Sequence, residues 1–489
     1  MKKNIILIIL VLLTQKYFSQ SNKDIDGYWI QEGYGIYLEI SDLVYKMYDI
    51  TKISCQPSSS MTLNGWSGPL NTLLDLYNIE KLSSESMILK YGITSYKFNR
   101  LKEPLKRCEN PITSSNQPKL NFEIFWHTFK ENYAYSSLRG VNWDSIYKDY
   151  SPRVSKSTSN EELYSYFREI LDSINDGHIS LRVPEELRNS YQKKKIKKSR
   201  LEDIAPEEFE YDYPTAREKS LQNVLKLYLK AKFKTYHKDL MIWGKLNKEV
   251  GYIQINGMNG FSQDIHISDS LGSSEYWQKH WTRVFKDIEE GKTLGQYLRG
   301  EINGANVVMD SIMQELSNSS GIIIDLRFNP GGTDQVALDI LSHFTNKETK
   351  IFTKKVWTGT NSAFESEVFV KPSPKNYEGK VILLTSPQTG SSAETMILGS
   401  LELPNMVKVG SNTMGIFSDV LQKKLPNGWR FGLSNEIYET PNKENYEYTG
   451  IPPNYLIKYS KDWRDFYKSI FELEHTDPAI EMAISLTDK

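Results

Sequence analysis

Two serines stand side by side in TSPQTGSSAETMILGS, residues 385 to 400. KVILLTS reads as a buried strand and 391 to 402 as a helix, so Ser391 falls on a sharp strand-to-helix turn. A hydroxyl placed there is clear of the sheet, beside unpaired N–H groups and the positive end of a helix dipole. That suits a nucleophile whose reaction develops negative charge. It suits a plain N-cap equally, because Glu394 follows at the capping-box spacing.

A second stretch has the same build. GIIIDLRFNPGGTDQVALDIL leaves a strand through Pro330, Gly331 and Gly332 and enters a helix. Glycines there permit positive φ and close approach, leaving main-chain N–H groups able to bind an oxyanion, or they form an ordinary βα turn. A nucleophilic serine also needs a base. His127 lies in a helical pattern, His343 near a helix end, His475 in the C-terminal stretch, and His237, His266 and His280 in polar segments. His178 alone stands on a tight Asp-Gly turn, from which a side chain can point into a cleft or simply into solvent.

The elements that must position these groups follow from the pattern. Residues 27 to 101 carry short alternating runs rich in Tyr, Ile and Thr, which predict a small antiparallel β domain, and 104 to 118 reads as a linker. Phe122, Phe125, Trp126, Phe129 and Tyr133 fall on one helix face, as do Leu163, Phe167, Ile170 and Ile174 after a capping box in Ser159 and Glu162. This helical subdomain, 119 to 190, ends its helices in NDGHISL, the His178 turn. KKKIKKSR at 193 to 200 is followed at once by EDIAPEEFEYD, and the cancelling charges read as a solvated loop. With one helical run, 191 to 248 forms a charged connecting segment.

From 249 to 475 strands alternate with helices, which predicts a β/α core, with a polar insertion at 262 to 300, an amphipathic helix at 305 to 317 and a hairpin turning at Asn427 and Gly428. Residues 476 to 489 are expected to be a tail. The fold class is mixed α/β.

With 489 residues several domains are expected, and 60 basic against 61 acidic side chains leave no global attraction to nucleic acid. The start, MKKNIILIILVLLTQKYFSQ, has a basic end, an apolar run from Ile5 to Leu13 and a small-residue close. It reads as a cleaved secretory signal, 1 to 19, since a bilayer span needs about 20 apolar residues. The mature protein is then exported, with no stable membrane insertion. Cys55 and Cys108 are the two cysteines; they either pair in an oxidising compartment or sit as separate thiols. No CxxC or HExxH spacing occurs, so no metal or other cofactor is expected.

Taken together, DGHISL, GIIIDLRFNPGG, TSPQTGSSAE and EYTGIPPN resemble, in order and spacing, the C-terminal processing or tail-specific serine peptidases, whose relatives include the tricorn protease core. The resemblance runs from about 119 to 460. It implies a ClpP/crotonase-like spiral β-α core, a polypeptide substrate, Ser391 as nucleophile, and an oxyanion hole from the N–H of Ser392 with that of Gly331 or Gly332. The tail-specific branch places a lysine 25 residues after the serine, where this chain has Ile416. The tricorn-like branch uses a histidine and a distal glutamate, which implies His178 as base and Glu447 as its orienting partner, with Glu436 and Glu439 as nearby alternatives. Asn454 stands where the family often has Asp. No Gly-rich carboxylate-binding loop of a PDZ domain occurs between 190 and 248, so a preference for free C-termini is not implied. Two other readings stand beside the peptidase. One is a non-catalytic carrier on the same fold, as in the interphotoreceptor retinoid-binding proteins. The other gives function to the aromatic-rich β domain, with Trp29 and Trp66.

Overall fold

The computed structural model describes residues 24–58, 65–201, 211–230, 232–246 and 249–487. The expected signal, 1 to 19, lies outside them. Eight strands from Gly27–Gln31 to Thr94–Leu101 form one antiparallel sheet, as the alternation predicts. Its inward positions, such as Trp29, Leu38, Met47, Leu89 and Phe98, share one core. The linker is not free of this sheet: Cys108 forms a disulfide with Cys55 across 53 residues.

The core is a seven-stranded sheet in the order Phe233–Tyr236, Met241–Lys245, Val250–Ile255, Gly321–Asp325, Lys380–Thr385, Met406–Gly410, Tyr455–Leu456. From Val250 onward the strands are parallel. Their near-continuous apolar sequences follow from burial on both faces. Ile322, Ile324, Val381 and Leu383 point to one face, under the helices Leu294–Leu316, Asp334–Leu341 and Ser392–Ser400. Ile323, Ile382 and Leu384 point to the other, under Tyr213–Tyr228, Trp463–Phe471 and Pro478–Thr487.

Three expectations need correction. The segment 191 to 248 is part of the core, because its helix covers one face and Met241–Lys245 pairs with Val250–Ile255. Residues 476 to 489 are no tail: Asp477 is fully buried on Arg327 at 2.7 Å, and Ala479, Ile480 and Ala483 are buried in the same cluster. The basic run at 193 to 200 lies in the helix Glu185–Leu201 and not in a loop.

The helical subdomain has its own aromatic core, in which Phe125 stacks on Phe167 at 4.1 Å, and Ser159 and Glu162 form the expected capping box. Its core also takes in Leu425, Trp429, Phe431 and Leu433 of the hairpin Val420–Lys424 and Arg430–Ser434. That shared core ties the His178 turn to the hairpin. The strand Ser180–Arg182, just after His178, adds to the hairpin with Ser180 opposite Gly432.

Candidate active site

Ser391 ends the turn after Lys380–Thr385 and begins the helix Ser392–Ser400, with φ 52° and ψ −126°. A non-glycine residue in this region costs about 1–3 kcal/mol and persists only where its surroundings over-determine it. The surroundings here do so. Ser386 Oγ donates to Arg327 O (2.6 Å), Thr389 Oγ1 to Leu326 O (2.9 Å), and Gly390 N to Asn329 O (3.0 Å), sewing the serine turn to the glycine loop. Behind the serine, the fully buried Glu394 accepts from Ser391 N (3.1 Å), Gly415 N (2.6 Å) and Ile416 N (2.9 Å). Burial pushes its carboxyl up to about 7, against the pull of those hydrogen bonds. Ser391 and Glu394 form the capping box that their spacing predicts, and the Ser391 carbonyl also takes the Glu394 N–H at 2.7 Å.

The glycine loop lies directly on the serine. A Cβ on Gly331, at φ 110°, would stand 2.6 Å from Ser391 Cβ and 2.9 Å from Ser392 N. Asn329 shapes the loop from below: its Nδ2 donates to Ile255 O (3.0 Å) and its Oδ1 accepts from Gly331 N (2.9 Å). The Gly331 N–H is thereby occupied. Among the described residues, the N–H groups of Gly332 and Ser392 have no acceptor.

His178 follows a turn in which Asn175 has φ 53°. Asp176 holds that turn, accepting from His178 N through Oδ1 (2.9 Å) and from the Tyr133 hydroxyl through Oδ2 (2.9 Å). Ile416 brings the histidine and serine turns together. A Cβ on Gly177 would lie 3.1 Å from Ile416 Cγ2, and one on Gly390 3.5 Å from Ile416 Cδ1. The residue that replaces the lysine of the other branch is thus an apolar spacer between the residues preceding His178 and Ser391. Burial lowers the His178 pKa from its usual 6.5, with Asp176 and Asp419 opposing, so the ring is neutral at pH 7, as a base must be. Its Nδ1 is buried with no hydrogen-bond partner.

Glu447 is buried close to this turn but is not hydrogen-bonded to the imidazole. Its Oε1 accepts from Arg139 Nη2 at 2.6 Å and its Oε2 from Phe417 N at 2.8 Å. Burial pushes its pKa up to about 8, Asp176 adding to this and Phe417 and Arg139 opposing. Arg139 also faces Asp176 at 3.7 Å and donates to the Asn175 carbonyl. One guanidinium thus joins the histidine turn to Glu447. The alternatives lie elsewhere: Glu436 pairs with Lys354 (2.9 Å) and accepts from the Tyr34 hydroxyl, and Glu439 pairs with Lys355 (2.8 Å). Asn454 pairs main chain, its Oδ1 accepting from Lys408 N at 2.9 Å. Of the remaining histidines, His280 and His343 are fully buried away from this turn.

Sequence reasoning missed Asp176, Asn329 and Arg139. Asp176 and Asn329 carry a signal, Asx residues two places before His178 and Gly331, where such side chains cap tight turns. Arg139 carries none, since it sits in a loop between two helices.

The β/α core thus brings a serine turn, a glycine loop and a histidine turn together. Residues 249–457 match peptidase family S41, and 115–172 the tricorn protease C1 domain. Over these residues the chain is similar to that peptidase family and to the tricorn domain. A carboxyl-terminal-processing protease of Synechocystis is 25% identical over 178 residues, 35% of this chain; the chain spans only 40% of that relative. Two solved structures share the fold. A candidate peptidase from Parabacteroides merdae, 20% identical, has a TM-score of 0.52 and covers 76% of this chain and 97% of its own. Mature CPAF, 10% identical, has a TM-score of 0.50 and covers 76% and 98%.

Proposed function

We propose that this chain is an exported serine-type peptidase. His178 takes the Ser391 proton as Oγ attacks a peptide carbonyl, and returns it to the leaving amine; water then releases the acyl group by the same route. The oxyanion is held by the N–H groups of Ser392 and Gly332, the Gly331 N–H being engaged by Asn329. Glu447 acts through Arg139 on the His178 turn and not by a direct hydrogen bond. The observation that carries this reading is the strained backbone of Ser391 pressed against Gly331, a conformation that a helix cap alone does not require. Export is supported by the leader sequence and by the Cys55–Cys108 disulfide. Among the described residues no helix is long and apolar enough to cross a membrane.

A fluorophosphonate probe tests the assignment on the mature protein. Labelling is expected in the wild type and in Ser392→Ala, and lost in Ser391→Ala and His178→Ala. Labelling that survives Ser391→Ala removes the nucleophile. The carrier reading draws on one observation, the unpartnered Nδ1 of His178; a wild type that neither labels nor cleaves a mixed peptide library would favour it.

A further inference from the structure

A cleft of about 480 Å³ opens against Pro330 and Gly331 and runs between the start of the helix Tyr213–Tyr228 and the helix Ser273–Glu289. Gly331 ties it to the nucleophile through the 2.6 Å approach to Ser391 Cβ. The cleft therefore lies next to the serine turn, with Gly331 shared between them.

The lining carries more acids than bases. Asn256 is 8% exposed, and its Nδ2 donates to the Asp239 carbonyl at 2.6 Å. That bond fixes the amide orientation, since a flip would set oxygen against oxygen, and it leaves Oδ1 buried with no donor. Asp239 lies in the same lining, with Lys238 and Arg217 near it, and Asp212 and Glu218 add two more acids at the exposed rim. Among the described lining residues Arg217 is the one cation, and its Nε and Nη2 are engaged by the carbonyls of Phe328 (3.2 and 3.0 Å) and Asn256 (2.8 Å). Trp277 and Trp281, one helical turn apart, supply flat apolar walls. Unfilled acceptors, acids and indole faces are the complement of a long apolar stem that ends in a cation with several N–H donors.

We propose that this cleft binds a lysine or arginine side chain of the peptide substrate, so that the enzyme selects basic residues close to the bond it cuts. The proposal rests on the peptidase reading. The stem lies along Trp277 and Trp281, while the charged head donates to Asn256 Oδ1 and the Asp239 carboxylate.

Binding and chemistry are separated by measuring both. Full-length Ser391→Ala is titrated by fluorescence anisotropy with matched peptides carrying arginine, citrulline, norleucine or glutamate at one position. The arginine peptide should bind about tenfold tighter than its citrulline twin, which keeps N–H donors and loses the charge. Adding Asp239→Asn, or separately the exposed Glu218→Gln, should reduce that preference several-fold; the Glu218 change touches no core and guards against misfolding. Equal affinity for arginine and citrulline, or tighter binding of glutamate, overturns the cleft assignment even where fluorophosphonate labels wild-type Ser391. Failure of the wild type to label overturns the peptidase reading, and the anisotropy series still decides the cleft.

Discussion

Replacing Arg139 by methionine is expected to damage the site in a way that depends on pH. The side chains of Arg139, Asp176 and Glu447 are 2%, 0% and 1% exposed, and the guanidinium is the cation between the two carboxyl groups. Breaking a buried ion pair from one side costs about 3–5 kcal/mol, because a charge is left without a partner. Methionine fills similar volume, so a cavity contributes little. The two carboxyl groups then face each other without a cation, and the folded variant retains at least one proton that the unfolded chain gives up above its ordinary carboxyl range. A folded state that binds more protons loses stability as pH rises, by about 1.4 kcal/mol per pH unit for each such proton. The wild type itself holds the Glu447 proton up to about pH 8, so urea denaturation at pH 5.5, 7 and 9 should show a steady deficit up to pH 7 that widens at pH 9, and Glu447→Gln in the same chain should recover part of it. Peptide hydrolysis should fall at least about tenfold, because the turn holding His178 loses its tie to Glu447. A deficit below about 1 kcal/mol that runs parallel to the wild type at all three pH values would refute the reasoning.

Gly331→Ala should abolish fluorophosphonate labelling, since the new Cβ falls 2.6 Å from Ser391 Cβ at a φ that side chains rarely adopt; retained labelling would mean that the loop is not the wall of the site. Because burial lowers the His178 pKa, the acidic limb of kcat/KM should lie below pH 6.5, and Asp419→Asn, which removes an attraction that raises that pKa, should move it lower still; an unmoved limb would rule out their coupling. Glu394→Gln turns an amide N–H towards the backbone N–H groups the carboxylate now satisfies, and should cost about 1–3 kcal/mol for each orphaned donor, read as a lower melting temperature. Cys55→Ser with Cys108→Ser reopens a loop of 53 residues and should destabilise the protein by about 4 kcal/mol in denaturant.

The strands and helices were legible because burial writes a period into the sequence. Ile322 to Ile324 and Val381 to Leu384 are apolar at every position since both faces of the sheet are covered. The serine turn and the glycine loop were legible for a different reason: only certain residues tolerate the backbone they require. The C-terminal helix was misread because Ala479, Ile480 and Ala483 make a short apolar stripe whose partners are the distant strands Gly321–Asp325, Lys380–Thr385 and Met406–Gly410. The setting of Glu447 was hardest. A carboxylate held by a guanidinium leaves no spacing to read, and Arg139 lies 308 residues from Glu447.

Arg327, fully buried at the exit of the central strand, is balanced by Asp325 on one side and by Asp477 on the other. Its carbonyl also holds Ser386, at the start of the nucleophile turn. During synthesis Ser391 emerges well before Asp477. Until the later segment arrives, the guanidinium has half its counter-charge, and the sheet face that Pro478–Thr487 covers is bare. The pairing of Arg327 is therefore completed only once Asp477 has been made.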